Sequence, residues 1–546
     1  MTFLKRHPDI ITSLLLTAAV LFYALRFINF NLPPFEDAAM LMRYANNLAN
    51  GYGIVWNIGE RPVDGATDFL FMTSVAALIK AGLPVGRAVR ALGFGAHLLT
   101  VLLVYFANRR IWKAGVAVSF ITGLYLAVGT GLSYVAAFFG TPFFALFAAL
   151  TWTLGLLLIQ KQNPLVWLSL AFAFSGLITG LIRPEGVILG GLMLFAVVVM
   201  KGWRASRKII VSFVTVFLVL GGVYFLWRWN YFGYPLPNPF YKKGGGAFYF
   251  DSFQESINNI LRLAAPFWLA FILGFRSSKT SRRTMAFLIP ILGFASAFIL
   301  ISNEMNFGAR FQYALVPVIL LSWYPLVEGI GREIGFSWPR PAEVRARSVW
   351  LAVALAASFM LVLYSVSQKC YLITGQQSCD QPIEGDGRYE IAKILADYQG
   401  KGYVIATTEA GLLPFYSNWT AVDAWGLNDE WIAHNGEITE PYLDRYKPNL
   451  IVFHAYYSPL VPPKLNEKNL SQNWFRMTIT LKNYAETRGY ILAAAFGDSP
   501  YDAHYYYVRP DFADSEKIVK QISSFSRYTW SLTGKKAINY AGYSVP

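Results

Sequence analysis

The sequence predicts a polytopic α-helical membrane protein with a soluble α/β domain at its C-terminal end. Hydrophobic residues make up 55% of the 546 residues and charged residues only 14%, whereas charged residues are usually about 25% of a soluble domain. Apolar runs near the length of roughly 20 residues that crosses a bilayer recur up to residue 367. From residue 369 these runs stop, so we expect a membrane domain over 1–368 and a soluble domain over 369–546.

Eleven apolar segments are predicted to be transmembrane helices. The first follows a basic start but has no small-residue cleavage site, so we expect a retained helix and not a removed signal peptide. The shorter segment 66–82 is predicted to lie along the membrane surface, within outer juxtamembrane helices at about 30–85. The predicted spans are 10–28, 88–107, 115–131, 141–160, 165–182, 186–200, 209–228, 260–275, 284–302, 312–327 and 348–367.

The distribution of charge orients these spans. Up to residue 369 the chain has 31 Lys and Arg against 13 Asp and Glu, and beyond it 16 against 19. The positive excess falls in short loops between apolar runs: NRRIWK, IQKQN, KGWRASRK and RSSKTSRR. A cytoplasmic N-terminus makes all four loops cytoplasmic, as the positive-inside rule requires. The location of the charge therefore favours membrane topology over nucleic-acid binding and is expected to place the C-terminal domain on the outer side of the membrane.

The same topology brings four polar clusters to the outer side. These are FEDAAMLMRY, IRPEG, LPNPFYKKGGG and NEMNFGARFQ. Each cluster alone could be a solvated loop. Together they combine carboxylates and cations with Pro, Gly and aromatic residues in one compartment, which favours a single assembled site.

The soluble domain is predicted to be a parallel α/β sheet. Strand-like GYVIATT, TAVDAWG and PNLIVFHA alternate with helical GRYEIAKILADYQG and NDEWIAH. Cys370 and Cys379 open the domain and are predicted to form a disulfide in an oxidising compartment, the alternative being two free thiols. His434, His454 and His504 are scattered without metal-ligand spacing, so we expect them to be structural and predict no metal site. KKGGG lacks the GK[ST] ending of a P-loop.

A lipid-anchored sugar donor would use these outer clusters. Its phosphate lies at the headgroup level, where Arg and Lys can stabilise the charge of the departing group. A carboxylate on the first outer loop can take the proton of the acceptor hydroxyl. No cofactor is required by this chemistry, although a divalent cation remains an open alternative.

The ordered motifs resemble those of a known family. FEDAAMLMRYANNLANGYGIVWNIGERPVDGATDFLF, GLIRPEGVIL, YFGYPLPNPFYKK, GARFQYALVP and ATTEAGLLPFYSNWTAVDAWGLND follow one another along nearly the whole chain. In this order they look like the bacterial GT-C integral-membrane glycosyltransferases, and most like the terminal arabinofuranosyltransferase group. The resemblance implies the GT-C fold and a polyprenyl monophosphate sugar donor. It also implies a glycan acceptor outside the bilayer.

The resemblance also implies roles for residues of the first outer loop. Asp37 matches the acidic residue that GT-C enzymes use at the reaction centre, with Glu36 beside it. Neighbouring helical residues point about 100° apart, so one of the two is expected to face the site, and Asp37 is favoured. A helix N-cap is its alternative role. Arg43 and Tyr44 lie within two turns and could orient sugar or phosphate, unless Arg43 only snorkels to the interface.

The remaining matches concern phosphate and substrate contacts. Arg183 and Glu185 belong to RPEG, for which a salt-bridged turn is the alternative. NPFYKK departs from the family's usual NTFYAK, so Lys243 is the matching lysine and Lys242 an added charge. Residues of these matches are predicted to bind the donor phosphate (Lys243, Lys242, Arg310 and Arg183) or substrate (Asp64, Glu185, Asn238 and Tyr241).

Three other functions remain open at this point. A lipid or glycan transporter would need intramembrane charges and internal symmetry, which the sequence does not display. A surface receptor would need one anchoring helix and not eleven. Within the enzyme class, a GT-C mannosyl- or aminoarabinose-type transferase acting on protein or lipid is the alternative.

Overall fold

The computed structural model describes most of the chain. The described residues are 8–243, 248–276, 278–303, 306–333, 357–367, 387–456, 472–499, 502–525, 530–533 and 536–539. Cys370 and Cys379 lie outside these residues, as does the first half of the eleventh predicted span. The disulfide therefore stays a prediction.

The N-terminal part is a bundle of helices joined by short connections. Its α-helices are Pro8–Phe27, Glu36–Ala49, Phe69–Lys80, Val85–Arg110, Val116–Ala127, Gly131–Ala136, Thr141–Gln160, Val166–Ile182, Glu185–Lys201, Trp203–Val216, Gly222–Phe232, Asn238–Lys243, Phe250–Leu263, Trp268–Gly274, Ser278–Gly293, Ala297–Leu300, Leu315–Ser322, Tyr324–Glu333 and Ala357–Ser367. A π-helical turn, Phe217–Gly221, connects two of these helices into one continuous helix of 30 residues.

The predicted count of eleven spans is not confirmed. A helix lies at each predicted span, but in the part of the chain that the structure describes only six helices are long and apolar enough to cross a membrane. A 3₁₀ turn, Ala265–Phe267, precedes the helix Trp268–Gly274. A seventh span is counted if the helix Phe250–Leu263 and the combined segment Ala265–Gly274, which are bent by 77° relative to each other, cross together. Hydropathy does not reveal such breaks, because a bent or short helix can be as apolar as a straight one. The juxtamembrane segment is the 12-residue helix Phe69–Lys80, too short to cross by itself.

Burial in the bundle follows membrane rules. Leu218, Val223 and Leu226 are exposed along the 30-residue helix, which fits contact with lipid. Trp152 is fully buried, and its Nε1 donates to Ser322 Oγ at 2.9 Å. A buried indole N–H without an acceptor would cost about 1–3 kcal/mol, so this bond fixes the packing of two helices.

The C-terminal domain contains a mixed sheet, which corrects the predicted parallel one. Its described strands lie in the order β2-β1-β3-β5-β4-β6-β7, and only β1 pairs in parallel with β2 and with β3. The other pairs are antiparallel. The bounds are β1 Val404–Thr407, β2 Thr420–Asp423, β3 Leu450–Ala455, β4 Ile491–Ser499, β5 Asp502–Val508, β6 Trp530–Thr533 and β7 Lys536–Asn539.

The predicted strands and helices of this domain occur at their expected positions. Three of the strands, β1 to β3, coincide with the strand-like stretches, and their buried apolar residues give the expected patterns. The antiparallel half was missed because the alternation of strands and helices ends at β4. The helices of the domain are Arg388–Ala396, Leu412–Ser417, Glu430–Asn435, Glu440–Tyr446, Gln472–Thr487 and Ser515–Ser523.

Candidate active site

Asp37 forms the centre of the site together with two cations. It is the second residue of the helix Glu36–Ala49, whose N-terminus favours negative charge. Arg310 Nη2 donates to Asp37 Oδ2, and the Arg310 guanidinium lies 4.2 Å from the ring centre of Phe139. Lys243 lines the same space. We call Asp37, Arg310 and Lys243 the Asp37 centre.

The two cations of the Asp37 centre keep its carboxylate ionised. Burial by itself raises the pKa of Asp37, but Arg310 and Lys243 outweigh burial and hold this pKa below its usual value. Asp37 is therefore ionised at neutral pH, and one carboxylate faces two cations. Nε of Arg310 is buried and has no hydrogen-bond partner among the described residues. An anion would supply an acceptor for this N–H group.

The Asp37 centre stands between two neighbouring spaces. The membrane-side pocket, about 90 Å³, is lined by Asp68, Phe139 and Arg183 as well as by the centre. The sheet-side cavity, about 470 Å³, is bounded by the C-terminal domain. Both are lined by all three members of the Asp37 centre. The C-terminal domain contributes further residues to the sheet-side cavity: Arg388, Glu409, Asp423, Trp425, His454 and Trp474.

Glu36 faces a different set of neighbours from Asp37. Its Oε1 accepts the N–H groups of Gly411 and Leu412, and its Oε2 accepts Arg388 Nη1 at 3.2 Å. Burial, with a contribution from the charge of Glu409, raises the pKa of Glu36 to about 7. A Cβ at Gly411 would lie 1.9 Å from the Glu36 carbonyl oxygen, so only glycine fits this approach. Glu36 thus links the helix Glu36–Ala49, which we call the outer helix, to the C-terminal domain.

The N-cap alternative for Asp37 is not observed. Phe35 precedes the first helical turn and has no side-chain acceptor, while the Asp37 carboxylate pairs with Arg310. The side chain of Asp37 is 31% exposed and that of Glu36 15%. Asp37 is therefore the better placed of the two to meet a substrate.

Arg183 lines the membrane-side pocket but is already paired with two carboxylates. It contacts Asp68 Oδ1 at 2.7 Å and Glu185 Oε1 at 2.6 Å, and its guanidinium lies 4.7 Å from the ring centre of Phe311. The salt-bridged turn, the alternative for RPEG, is present. Arg183 and Glu185 are thus better suited to fix the pocket wall than to bind phosphate.

Arg43 and Tyr44 lie outside both spaces. Arg43 is buried, and its guanidinium donates to the carbonyl oxygens of Trp56, Pro414 and Trp419 and to Asn57 Oδ1. Its donors are used in joining the outer helix to the soluble domain, so snorkelling and substrate contact are both unsupported. The Tyr44 hydroxyl donates to Asn428 Oδ1 at 3.0 Å.

Asn428 belongs to a loop that shapes the sheet-side cavity. The buried carboxylate of Asp423 accepts the backbone N–H groups of Trp425, Gly426 and Asn428. This arrangement holds Trp425 against the cavity, where its ring centre lies 5.2 Å from that of Trp474. Tyr44 therefore contacts this loop through Asn428 and does not line the cavity itself.

Asp64 and Asn238 are likewise removed from the Asp37 centre. Asp64 is paired with Arg228, and its backbone carbonyl accepts the N–H of Asn238 at 3.0 Å. Burial raises the pKa of Asp64 to about 6, against the opposing effect of Arg228. Both residues line a separate small crevice beside Pro62 and Glu430.

Lys242 and Tyr241 contact the soluble domain. Lys242 Nζ donates to the Gly436 carbonyl and lies 4.5 Å from the ring centre of Trp425. Tyr241 packs on His434, with ring centres 4.4 Å apart. Of the two adjacent lysines, Lys243 is therefore the one at the Asp37 centre.

Several site residues were not predicted from the sequence. Asp68 is the second carboxylate of the sequence VDGATDF, and the presence of two acidic residues in this short stretch was a signal for a site residue there. Arg388, Glu409 and the two tryptophans of the cavity come from the soluble domain, and local patterns do not show that they reach the outer helix. His454 and His504, expected to be scattered, are cross-strand partners with ring centres 4.2 Å apart.

Comparisons with known proteins agree with this architecture. A domain of unknown function (DUF8728) matches residues 380–513. The chain is 24% identical over 274 residues to a terminal β-(1→2)-arabinofuranosyltransferase of Mycobacterium tuberculosis, covering 47% of this chain and 42% of that protein. The chain thus matches less than half the length of this curated relative.

Solved structures share the overall fold. ArnT from Cupriavidus metallidurans in the apo state has a TM-score of 0.55 at 16% identity. The match covers 91% of the present chain and 97% of the ArnT chain. The same protein bound to undecaprenyl phosphate has a TM-score of 0.54 at 14% identity. This match covers 90% of the present chain and 97% of the ArnT chain. The GT-C fold implied by the sequence motifs is therefore confirmed, since this chain shares its fold with ArnT.

Proposed function

We propose that the protein is a glycosyltransferase that moves a sugar from a polyprenyl monophosphate to a hydroxyl group of a cell-envelope glycan. The observation that carries this proposal is the Asp37 centre, in which one ionised carboxylate stands beside two cations between two spaces. Transfer from a phosphate leaving group needs this combination. The GT-C fold and the partial match to an arabinofuranosyltransferase support it.

The donor phosphate is assigned to Arg310 and Lys243. Both line the two spaces, whereas Arg183 is neutralised by Asp68 and Glu185 and Lys242 contacts the soluble domain. An Arg and a Lys facing one phosphate give charge-assisted hydrogen bonds, each contributing about 1.5–3 kcal/mol. The complex of ArnT with undecaprenyl phosphate supports the same class of carrier here.

The chemical step then requires one base. The acceptor oxygen attacks the anomeric carbon, the bond from this carbon to the phosphate oxygen breaks, and polyprenyl monophosphate departs with the bond electrons. Asp37 takes the proton of the acceptor hydroxyl, which contributes about 10²- to 10⁴-fold to the rate. Arg310 and Lys243 stabilise the charge that develops on the phosphate.

Donor binding would also strengthen the base. Without donor, the two cations hold the pKa of Asp37 low, and a strongly stabilised carboxylate accepts protons poorly. A bound phosphate compensates the charges of Arg310 and Lys243 and so raises the pKa of Asp37 again. Asp37 would become an effective base when a donor is present.

Arabinofuranose is the donor sugar that we favour. Its support is the partial match to a terminal arabinofuranosyltransferase, while the structural likeness to ArnT keeps aminoarabinose as an alternative and the shared fold leaves mannose open. The protein is proposed to act at the outer face of the bacterial cytoplasmic membrane, with its N-terminus in the cytoplasm. A single cysteine placed at position 205, with Cys370 and Cys379 replaced by Ser, should react with impermeant reagents only from the cytoplasm.

The direct test uses purified full-length protein in nanodiscs. Polyprenyl monophosphates carrying arabinofuranose, mannose or aminoarabinose are supplied with a glycan acceptor, and released polyprenyl monophosphate and the extended glycan are measured by mass spectrometry. Both products are expected from one donor, and neither from the variant Asp37→Asn. In sealed proteoliposomes of the same protein, passage of intact donor across the membrane without release of polyprenyl monophosphate would instead identify a transporter.

A further inference from the structure

Three side chains of the soluble domain converge beside the sheet-side cavity. Glu409 follows the end of β1, His454 lies in β3 and His504 in β5. His454 and His504 are directly opposite each other on antiparallel strands, so their side chains project from the same face. Their rings stack with centres 4.2 Å apart and an interplanar angle of 19°.

The distances among these side chains suit a metal ion. Glu409 Oε1 lies 3.5 Å from His454 Nδ1 and 3.4 Å from His504 Nε2. One ligand atom from each residue lies within 4.8 Å of the other two. Zn²⁺ takes nitrogen and oxygen ligands at about 2.0–2.1 Å in a tetrahedron, whose ligand atoms are then about 3.3 Å apart. The distances from Glu409 Oε1 to a nitrogen of each histidine are close to this separation.

Neighbouring groups orient two of the three side chains. His454 Nε2 lies 2.6 Å from Asp502 Oδ1, which leaves Nδ1 directed toward Glu409. A carboxylate bonded to the second nitrogen of a histidine is the usual support of a metal ligand. Arg388 bonds to Glu409 Oε2 at 2.6 Å and leaves Oε1 toward the histidines.

We propose that Glu409, His454 and His504 bind one divalent transition-metal ion of the Zn²⁺ class. Two imidazoles and one carboxylate form a ligand set that such an ion prefers over Mg²⁺ or Ca²⁺, which take oxygen ligands. His504 and Glu409 are buried, while Glu409 and His454 line the sheet-side cavity. Three protein ligands would leave a fourth position of the tetrahedron open.

The ion would act on the outer helix through a short chain of contacts. Glu409 also holds Arg388, and Arg388 contacts Glu36 next to Asp37. Metal binding would therefore fix the sheet against the start of the helix Glu36–Ala49 and add positive charge to the cavity wall. This site is independent of whether the protein transfers a sugar.

The test measures metal content and not activity. Full-length protein in nanodiscs is stripped with a chelator, dialysed and reloaded with Zn²⁺ or with Co²⁺, whose visible absorption reports tetrahedral coordination. Mass spectrometry of the elements is expected to find one ion per chain. His454→Gln and His504→Gln should abolish binding, and Asp502→Asn should weaken it about 10- to 100-fold.

His434→Gln is the matched control, since this histidine packs on Tyr234 and Tyr241. It should bind metal like the unmodified protein. Thermal unfolding of each variant without metal verifies folding, and the partly exposed His454 provides a test if the buried His504 does not tolerate change. A chain that binds no ion, as expected if the carboxylates only hold charged histidines, would overturn the proposal. Undiminished binding by the folded His454→Gln variant would do so as well.

Discussion

The two walls of the site differ in chemistry. The wall of the membrane-side pocket contains ion pairs. Arg183 pairs with Asp68 and Glu185, and Arg310 pairs with Asp37. The sheet-side cavity is larger, and its walls include Trp425, Trp474, His454 and Glu409. Fixed charges suit a phosphate, and aromatic faces suit the apolar face of a sugar ring. We therefore expect the donor phosphate to bind Arg310 and Lys243 from the membrane side and the acceptor to enter from the sheet side.

Asp37→Asn should have the largest effect, because it removes the proposed base between the two walls. We expect at least about a 10²-fold loss of kcat, since an amide cannot take the acceptor proton. Donor affinity should be retained, because Arg310 and Lys243 remain. Release of polyprenyl monophosphate and equilibrium donor binding are the two measurements.

Glu36→Gln is the neighbouring control for Asp37→Asn. Gln keeps the carbonyl oxygen that accepts the Gly411 and Leu412 amides, so the variant should fold and retain a substantial fraction of activity. If Glu36→Gln is inactive and Asp37→Asn is active, the role of base belongs to Glu36.

Removing the cations tests the membrane side. Arg310→Ala or Lys243→Ala should each weaken donor binding by about 1.5–3 kcal/mol, because a charge-assisted contact to phosphate is lost. Isothermal titration with a short-chain polyprenyl phosphate measures this. Lys242→Ala is the matched control and should leave donor affinity unchanged, since its ammonium contacts Gly436 and Trp425. Equal losses in Lys242→Ala and Lys243→Ala would refute the assignment.

The sheet-side assignment predicts an effect on the acceptor alone. Trp474→Ala removes an aromatic face from the cavity and should weaken acceptor binding by about 0.5–1.5 kcal/mol. The KM for the acceptor should rise while the KM for the donor stays unchanged. If only the KM for the donor rises, the donor binds on the sheet side and the assignment of the two walls is reversed.

Asp64 should influence stability and not substrate binding. Its pKa is raised by burial to about 6 from 3.8, so the folded protein holds this proton to higher pH than the unfolded chain does. The contribution of Asp64 to the free energy of unfolding therefore falls as pH rises from about 4 to about 6, by on the order of 2 kcal/mol.

Asp64→Asn should remove this slope. Thermal unfolding of the two proteins between pH 4 and pH 7 measures the difference, and both KM values should be unaffected. A higher KM for the acceptor in Asp64→Asn would instead indicate that Asp64 contacts the substrate, as the sequence motif implies.

The sequence by itself determined the class of this protein. Apolar runs, the positive charge of their loops and the change of composition at residue 369 follow from bilayer thickness and charge transfer, which act locally on the chain. Ordered motifs likewise predicted the GT-C fold and the outer position of Asp37, Lys243 and Arg310. The number of spans was not determined, because hydropathy cannot distinguish a straight helix from one that is bent or too short.

Only the tertiary structure decided which polar residues meet. Arg43, adjacent in sequence to Tyr44 and close to Asp37, is used in joining two domains, while Arg310 reaches Asp37 across 273 positions of the chain. Glu409, His454 and His504 converge because strands β1, β3 and β5 are neighbours in the sheet. Such contacts depend on how buried polar groups find partners after the chain has folded, and local patterns in a sequence carry no record of that choice.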